Sequence, residues 1–141
     1  MAQPHRDYSH RSTVDKLGIK SGQVVVPVEA AGPIGDDLRR DIEERVGGPM
    51  GDGSESANVV LITADASTDV VRLLGEWKGR IRSAGGIWVF TPKRGQPGYV
   101  NGTDLIGMGA AAGLVDNKTC SVSQTISGMR FVIRLRDRAR E

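Results

Sequence analysis

Three short apolar runs constrain this chain most: "QVVVPV" (Gln23–Val28), "NVVLIT" (Asn58–Thr63) and "GGIWVF" (Gly85–Phe90). Each is rich in β-branched or aromatic residues and shows no polar alternation, the pattern of strands covered on both faces. Between them lie stretches with helical periodicity. Ile34, Leu38, Ile42 and Val46 recur near helical spacing among charged residues. Thr68–Arg82 reads as a second helix with its buried stripe at Val70, Leu73, Leu74, Trp77 and Ile81. Strands separated by helices predict a parallel sheet with helices on both faces.

The flanks complete the order β-α-β-α-β-α-β-β behind a short first helix. Ser12 or Thr13 caps that helix, which ends near Gly18. Pro27 inside the first strand predicts a local irregularity. "GGPMGDGSES" (Gly47–Ser56) is a loop, and a third main helix runs from a cap at Thr103 or Asp104 to about Ala112, ended by Gly113. "TCSVSQTI" and "GMRFVIRL" meet at "SG", which predicts a hairpin turning at Ser127–Gly128. The 141 residues fit one domain, residues 1–141. Residues 1–11 form an extended N-terminal segment and residues 136–141 a charged tail.

Composition narrows the class. No apolar run approaches the roughly 20 residues that span a membrane, and "MAQPHRDYSHRS" lacks an apolar signal core. A single cysteine, Cys120, precludes an intramolecular disulfide, so a cytoplasmic protein is expected. A net charge of +2 is too small to imply nucleic acid or a membrane surface. The basic end "RFVIRLRDRARE" has few aromatic platforms to accompany it, since the chain holds two Phe, two Tyr and two Trp. No metal site is expected: His5 and His10 are the only histidines, and nothing has zinc-ligand spacing. Those histidines also offer no evident catalytic triad.

From Asn58 onward, the strand–helix order, "SAGGIWVFTPK", the helix end "AAGLV" and the final hairpin resemble the C-terminal half of class I S-adenosylmethionine-dependent methyltransferases. A narrower resemblance covers nearly the whole chain. "YSHRSTVDKLGIKSG", "TPK", "GLVDNKTC" and "SGMRFVIR" are similar to signatures of the DUF3052 family, small and mainly actinobacterial proteins of unknown function. Members often carry a tryptophan just before the "SG"; this chain has Ile126. Together the resemblances imply an α/β, reduced Rossmann-like (methyltransferase-like) three-layer sandwich, a mostly parallel sheet closed by a C-terminal antiparallel hairpin.

The first strand runs into the turn Glu29-Ala-Ala-Gly32-Pro-Ile-Gly35. Glu29 stands near the acidic position of a methyltransferase-like turn, and Gly32 and Gly35 supply backbone freedom. A G-x-G is missing, Pro33 removes an N–H, and Asp36 and Asp37 place negative charge where a phosphate would sit. One helix and one loop separate this strand from "NVVLIT", leaving no room for the strand that carries a ribose-binding acid in full-length methyltransferases. S-adenosylmethionine is therefore the less favoured alternative, and no cofactor is predicted. The better candidate is "TPKRGQPG": Pro92, Lys93 and Arg94 follow a buried strand, at the edge where open α/β sheets form ligand crevices. Asp65 and Glu29 are expected on that edge, with Tyr8, His10 and Arg11 folding over it.

No catalytic residue is expected. The favoured expectation is a non-catalytic protein that binds a protein partner or small ligand at the C-terminal edge of the sheet, with homo-oligomerisation open. The alternative is a small enzyme using S-adenosylmethionine or a nucleotide cofactor in the Glu29–Gly35 crevice. Nucleic-acid binding through the arginine-rich tail is a third.

Overall fold

A computed structural model describes residues 12–138. Helix α1 (Thr13–Lys16) leads to β1 (Val25–Glu29), α2 (Asp36–Val46), β2 (Ala57–Thr63), α3 (Val70–Lys78), β3 (Ile81–Pro92), α4 (Gly102–Ala111), β4 (Leu114–Ser121) and β5 (Ile126–Ile133). The sheet order is β1-β2-β3-β5-β4. β1, β2 and β3 are parallel, and β5 joins β3 antiparallel before pairing with β4.

Local chemistry sets the helix ends. Ser12 accepts a hydrogen bond from the N–H of Asp15, and Asp69 does the same for Arg72, each at 3.1 Å. The cap of α4 is Asn101 and not the expected Thr103 or Asp104: the Asn101 side chain accepts from the N–H groups of those two residues, which lie inside the helix. Gly47 closes α2 in the left-handed region at φ 89°, which glycine enters without a Cβ penalty.

The sheet divides the core in two. Val25, Val59, Leu61, Trp88 and Phe90 face α1 and α2, meeting Val14, Leu17 and Ile42. Val60, Ile62, Ile87, Val89 and Phe131 face α3 and α4, meeting Leu74, Trp77 and Leu105. Burying one such aliphatic side chain stabilises the fold by roughly 1.5–3 kcal/mol, so the central strands need apolar residues at every position.

Three further expectations are corrected. Pro27 causes no irregularity, because β1 is an edge strand and Pro27 stays in register with Leu61. The carbonyl of Val25 accepts from Gly51 beyond the sheet. Pro27, two positions along, therefore turns its missing N–H toward the same outer edge. The second main helix covers Val70–Lys78, not Thr68–Arg82; Asp69 caps it, and Ile81 opens β3 opposite Ala57. β3 then leaves the ladder and re-enters with Gly86 opposite Val59. A Cβ on Gly85 would come within 2.9–3.1 Å of three backbone carbonyl oxygens, so that passage requires glycine.

The hairpin turns at residues 122–125 and not at Ser127–Gly128. Val122 and Ser123 donate their N–H groups to the Ile126 carbonyl, and the Ser123 hydroxyl accepts from Thr125 and Ile126. Gly128 lies inside β5 opposite Phe90 and Cys120. A Cβ there would sit 3.1 Å from the Trp88 ring. This glycine serves close packing, which resembles a turn signal in sequence.

Candidate functional site

The C-terminal ends of the parallel strands carry two cavities, one on each side of the sheet, with Pro92 on the border of both. The larger, about 660 Å³, opens on the α1–α2 face between the β1–α2 turn and the β4–β5 turn. Ile34, Leu38, Phe90, Val122 and Ile126 give it an apolar lining. Asp36, Asp37, Asp41 and Asp65 add carboxylates, and no lysine or arginine lines it among the described residues.

The β1–α2 turn is held closed by its own groups. The Glu29 carboxylate accepts from the N–H of Ile34 at 2.9 Å and from Arg39 at 3.3 Å. The Thr63 hydroxyl donates to the Gly32 carbonyl at 2.6 Å and accepts from the N–H of Ala31. Two N–H groups that could have faced an anion are thus engaged internally, and Pro33 has none. Gly32 and Gly35 adopt φ of 115° and 102°, so the turn uses their left-handed freedom. Gly35 lines the cavity, whereas Glu29 and Gly32 do not.

Asp65 reaches the cavity wall, as expected for the end of β2. One carboxylate oxygen accepts from Ser67 N–H at 2.8 Å and from the Thr68 hydroxyl at 3.1 Å. This bracket starts the approach to α3. Gly98 packs directly against it, since a Cβ there would lie 2.9 Å from the Asp65 side chain.

Lys93 and Arg94 line the second cavity, about 460 Å³, on the α3–α4 face. The expected single crevice is therefore two: Gly35, Asp65 and Pro92 border the acidic one, while Pro92, Lys93 and Arg94 border the basic one. The sheet keeps the two groups apart. Tyr8, His10 and Arg11 lie outside the described residues. Phe90, Leu38, Asp41, Val122 and Ile126 were not singled out by sequence reasoning. The signal for Phe90 was available, because alternate residues of β3 must end on opposite faces.

Cys120 is half-buried in β4 beside the basic cavity, but its side chain packs with Trp88 and Phe90 on the α1–α2 face. Burial pushes its thiol above the usual range, against weaker pulls from Lys16 and Lys118. No group of three metal-binding side chains occurs among the described residues. At the C-terminal end, Arg138 donates to the Ile133 carbonyl at 3.0 Å and Arg136 lies 4.0 Å from Asp137. No helix of the described residues is long and apolar enough to cross a membrane.

The residues present do not reproduce the ribose-binding arrangement of a methyltransferase. β1 is an edge strand, and residue 51 of the following loop bonds its outer side where another strand would stand. Glu29, the nearest acid, is committed to Ile34 and Arg39.

Comparison with solved structures gives the same architecture. A protein of Thermoplasma acidophilum described as a methyltransferase matches with a TM-score of 0.60 and 8% identity, over 96% of this chain and 77% of that one. An S-adenosylmethionine-dependent methyltransferase of Aquifex aeolicus matches with a TM-score of 0.53 and 10% identity, over 84% and 86%. The neocarzinostatin-biosynthesis O-methyltransferase, solved with S-adenosyl-L-homocysteine, matches at 0.56 and 15% identity. This chain spans about half of that enzyme, 52% of its length. At these identities the likeness is one of fold. In sequence, uncharacterized proteins of Mycobacterium tuberculosis and Mycobacterium bovis are 34% identical over 110 residues, covering 76% of this chain and 70% of theirs. Residues 14–135 match the family described as protein of unknown function, DUF3052. On that match and those relatives, the chain belongs to the DUF3052 family, built on a methyltransferase-like α/β fold.

Proposed function

We propose that this protein works by binding a small ligand in the acidic crevice at the C-terminal edge of the sheet, without transferring a methyl group. The observation that supports this reading most is the crevice itself: about 660 Å³, with a partly apolar lining and four carboxylates, of which Asp37 is paired with Arg40 at 3.2 Å, and no lysine or arginine in its lining among the described residues. Such a volume suits a small organic molecule. The lining favours an apolar body with a cationic group over a phosphate, which the carboxylates would repel. A cytoplasmic setting belongs to the same reading.

Tyr8, His10 and Arg11 form part of the proposal as a cover. Thr13 lines the crevice, and Tyr8, His10 and Arg11 precede it by two to five positions in the sequence.

Thermal-shift screening of aromatic and aliphatic amines beside S-adenosylmethionine and S-adenosylhomocysteine tests the reading, because a bound ligand raises apparent stability by mass action. An amine should stabilise the protein, and Asp41→Asn should weaken its binding. Calorimetric binding of S-adenosylmethionine near or below about 10 µM, roughly 7 kcal/mol, with loss of that binding in Gly35→Val, would overturn the proposal in favour of a cofactor-using enzyme.

A further inference from the structure

The second cavity has the opposite chemistry. Lys93 and Arg94 line it, and no aspartate or glutamate does. Neither cation is paired with a carboxylate among the described residues. Lys93 donates to the Ser121 hydroxyl at 2.7 Å, which engages one of the three donors on its ammonium. The Arg94 guanidinium lies 5.5 Å from the centre of the Tyr99 ring. It makes no hydrogen bond to the described residues, so its five N–H donors are available.

The surrounding backbone holds these cations in place. The N–H of Lys93 bonds the Thr125 carbonyl in the hairpin turn at 2.8 Å, and its carbonyl accepts from Gln96. Tyr99 in turn donates to the Gln96 carbonyl, which closes the loop beneath Arg94. Gly102 also lines the cavity and opens the ten-residue α4. Asn101 caps the N–H groups of Thr103 and Asp104 but leaves that of Gly102 without an acceptor among the described residues. Below the cations, Val100, Leu105 and Met129 form an apolar floor.

We propose that this cavity binds a small organic phosphate. Its phosphoryl group sits between Lys93, Arg94 and the Gly102 N–H, and its apolar portion rests on Val100, Leu105 and Met129. Two cations of different geometry suit a tetrahedral oxyanion: the ammonium acts as a point charge and the guanidinium as a two-pronged donor. The first turn of α4 adds a favourable dipole. The Tyr99 ring pre-orients Arg94, which lowers the ordering cost of binding. This site is on the other face of the sheet from the acidic crevice, and its test is independent of that proposal.

Phenyl phosphate is the probe, with benzoate and phenol as controls for charge type and for the ring. Calorimetry of the intact protein should give a saturable dissociation constant below about 1 mM for phenyl phosphate, with benzoate and phenol at least about tenfold weaker. Lys93→Met and Arg94→Gln should each weaken binding about tenfold, whereas Asp41→Asn, on the opposite face, should leave it unchanged. Arg94→Gln guards against a folding artefact, since this exposed side chain makes no hydrogen bond to the described residues. Equal binding of phenol, or undiminished binding in the Lys93→Met/Arg94→Gln double variant, would overturn the proposal.

Discussion

The indole Nε1 of Trp88 donates a hydrogen bond to the carbonyl of Leu17 at 3.1 Å, tying the central strand β3 to the C-cap of α1. Trp88 is fully buried. The bond therefore satisfies two polar groups that have no access to water, and it fixes α1 over the α2 face of the sheet.

Replacing Trp88 separates packing from hydrogen bonding. Trp88→Phe keeps an aromatic ring but orphans the Leu17 carbonyl, and should cost about 1–3 kcal/mol. Trp88→Ala also opens a cavity and should cost about 3–5 kcal/mol, a large share of the stability of a domain this size. Chemical denaturation measures both. A loss below about 1 kcal/mol in the alanine variant would contradict the buried position of the ring.

Glu29 illustrates how a site signature can have an architectural role. Its carboxylate bridges Ile34 N–H and Arg39, and the two charged side chains remain 33% and 36% exposed. Solvent screening keeps such a pair weak. Glu29→Ala should destabilise by about 1 kcal/mol through the lost turn contact, while Glu29→Gln, still able to accept from Ile34, should retain most of the stability. Urea unfolding distinguishes the two. An alanine variant as stable as the parent would remove Glu29 from the turn's support.

Strand positions and element order were legible because the central strands are apolar at every position and the helices are amphipathic. Boundaries failed where one residue type serves two physical purposes. Gly128 looks like a turn residue, but its missing Cβ makes room for Trp88. Ile81 continues the helical stripe of Leu73, Leu74 and Trp77, yet Gly79 has already ended α3 and Ile81 enters the sheet. Sequence placed Asp65, Pro92, Lys93 and Arg94 at the C-terminal edge of the sheet, where they line the two cavities. It could not assign them to opposite faces, because the side each loop takes after leaving the sheet depends on tertiary contacts.

The glycines of α4 give opposite signs for one substitution. Gly107 is exposed, with nothing within 4 Å of an added Cβ. Gly107→Ala should stabilise by about 0.5–1 kcal/mol through helix propensity and a less flexible unfolded chain. At Gly109 an added Cβ would overlap the ring of Phe131, itself fully buried. Gly109→Ala should therefore destabilise by about 1–3 kcal/mol despite the same propensity gain. Thermal or urea unfolding of the two variants tests this close approach of helix and sheet. Stabilisation by both would contradict it.

The proposed cover over the acidic crevice makes a prediction about the chain before α1. Ser12 caps α1, and Thr13 lines the crevice while its hydroxyl donates to the Val122 carbonyl at 3.5 Å. Arg11 and His10 precede Thr13 by two and three positions in the sequence, and a residue spans at most about 3.6 Å of chain. Charge complementarity favours docking, and the Tyr8 ring would add an apolar contact with a polar tip. Amide hydrogen exchange of the intact, ligand-free protein should show residues 8–12 protected relative to a fraying terminus. Asp41→Asn should reduce that protection by weakening the attraction. High salt should do the same to the extent that the contact is exposed. Complete exchange of residues 8–12 at the earliest time point would rule out stable docking and leave the crevice open to solvent on that side.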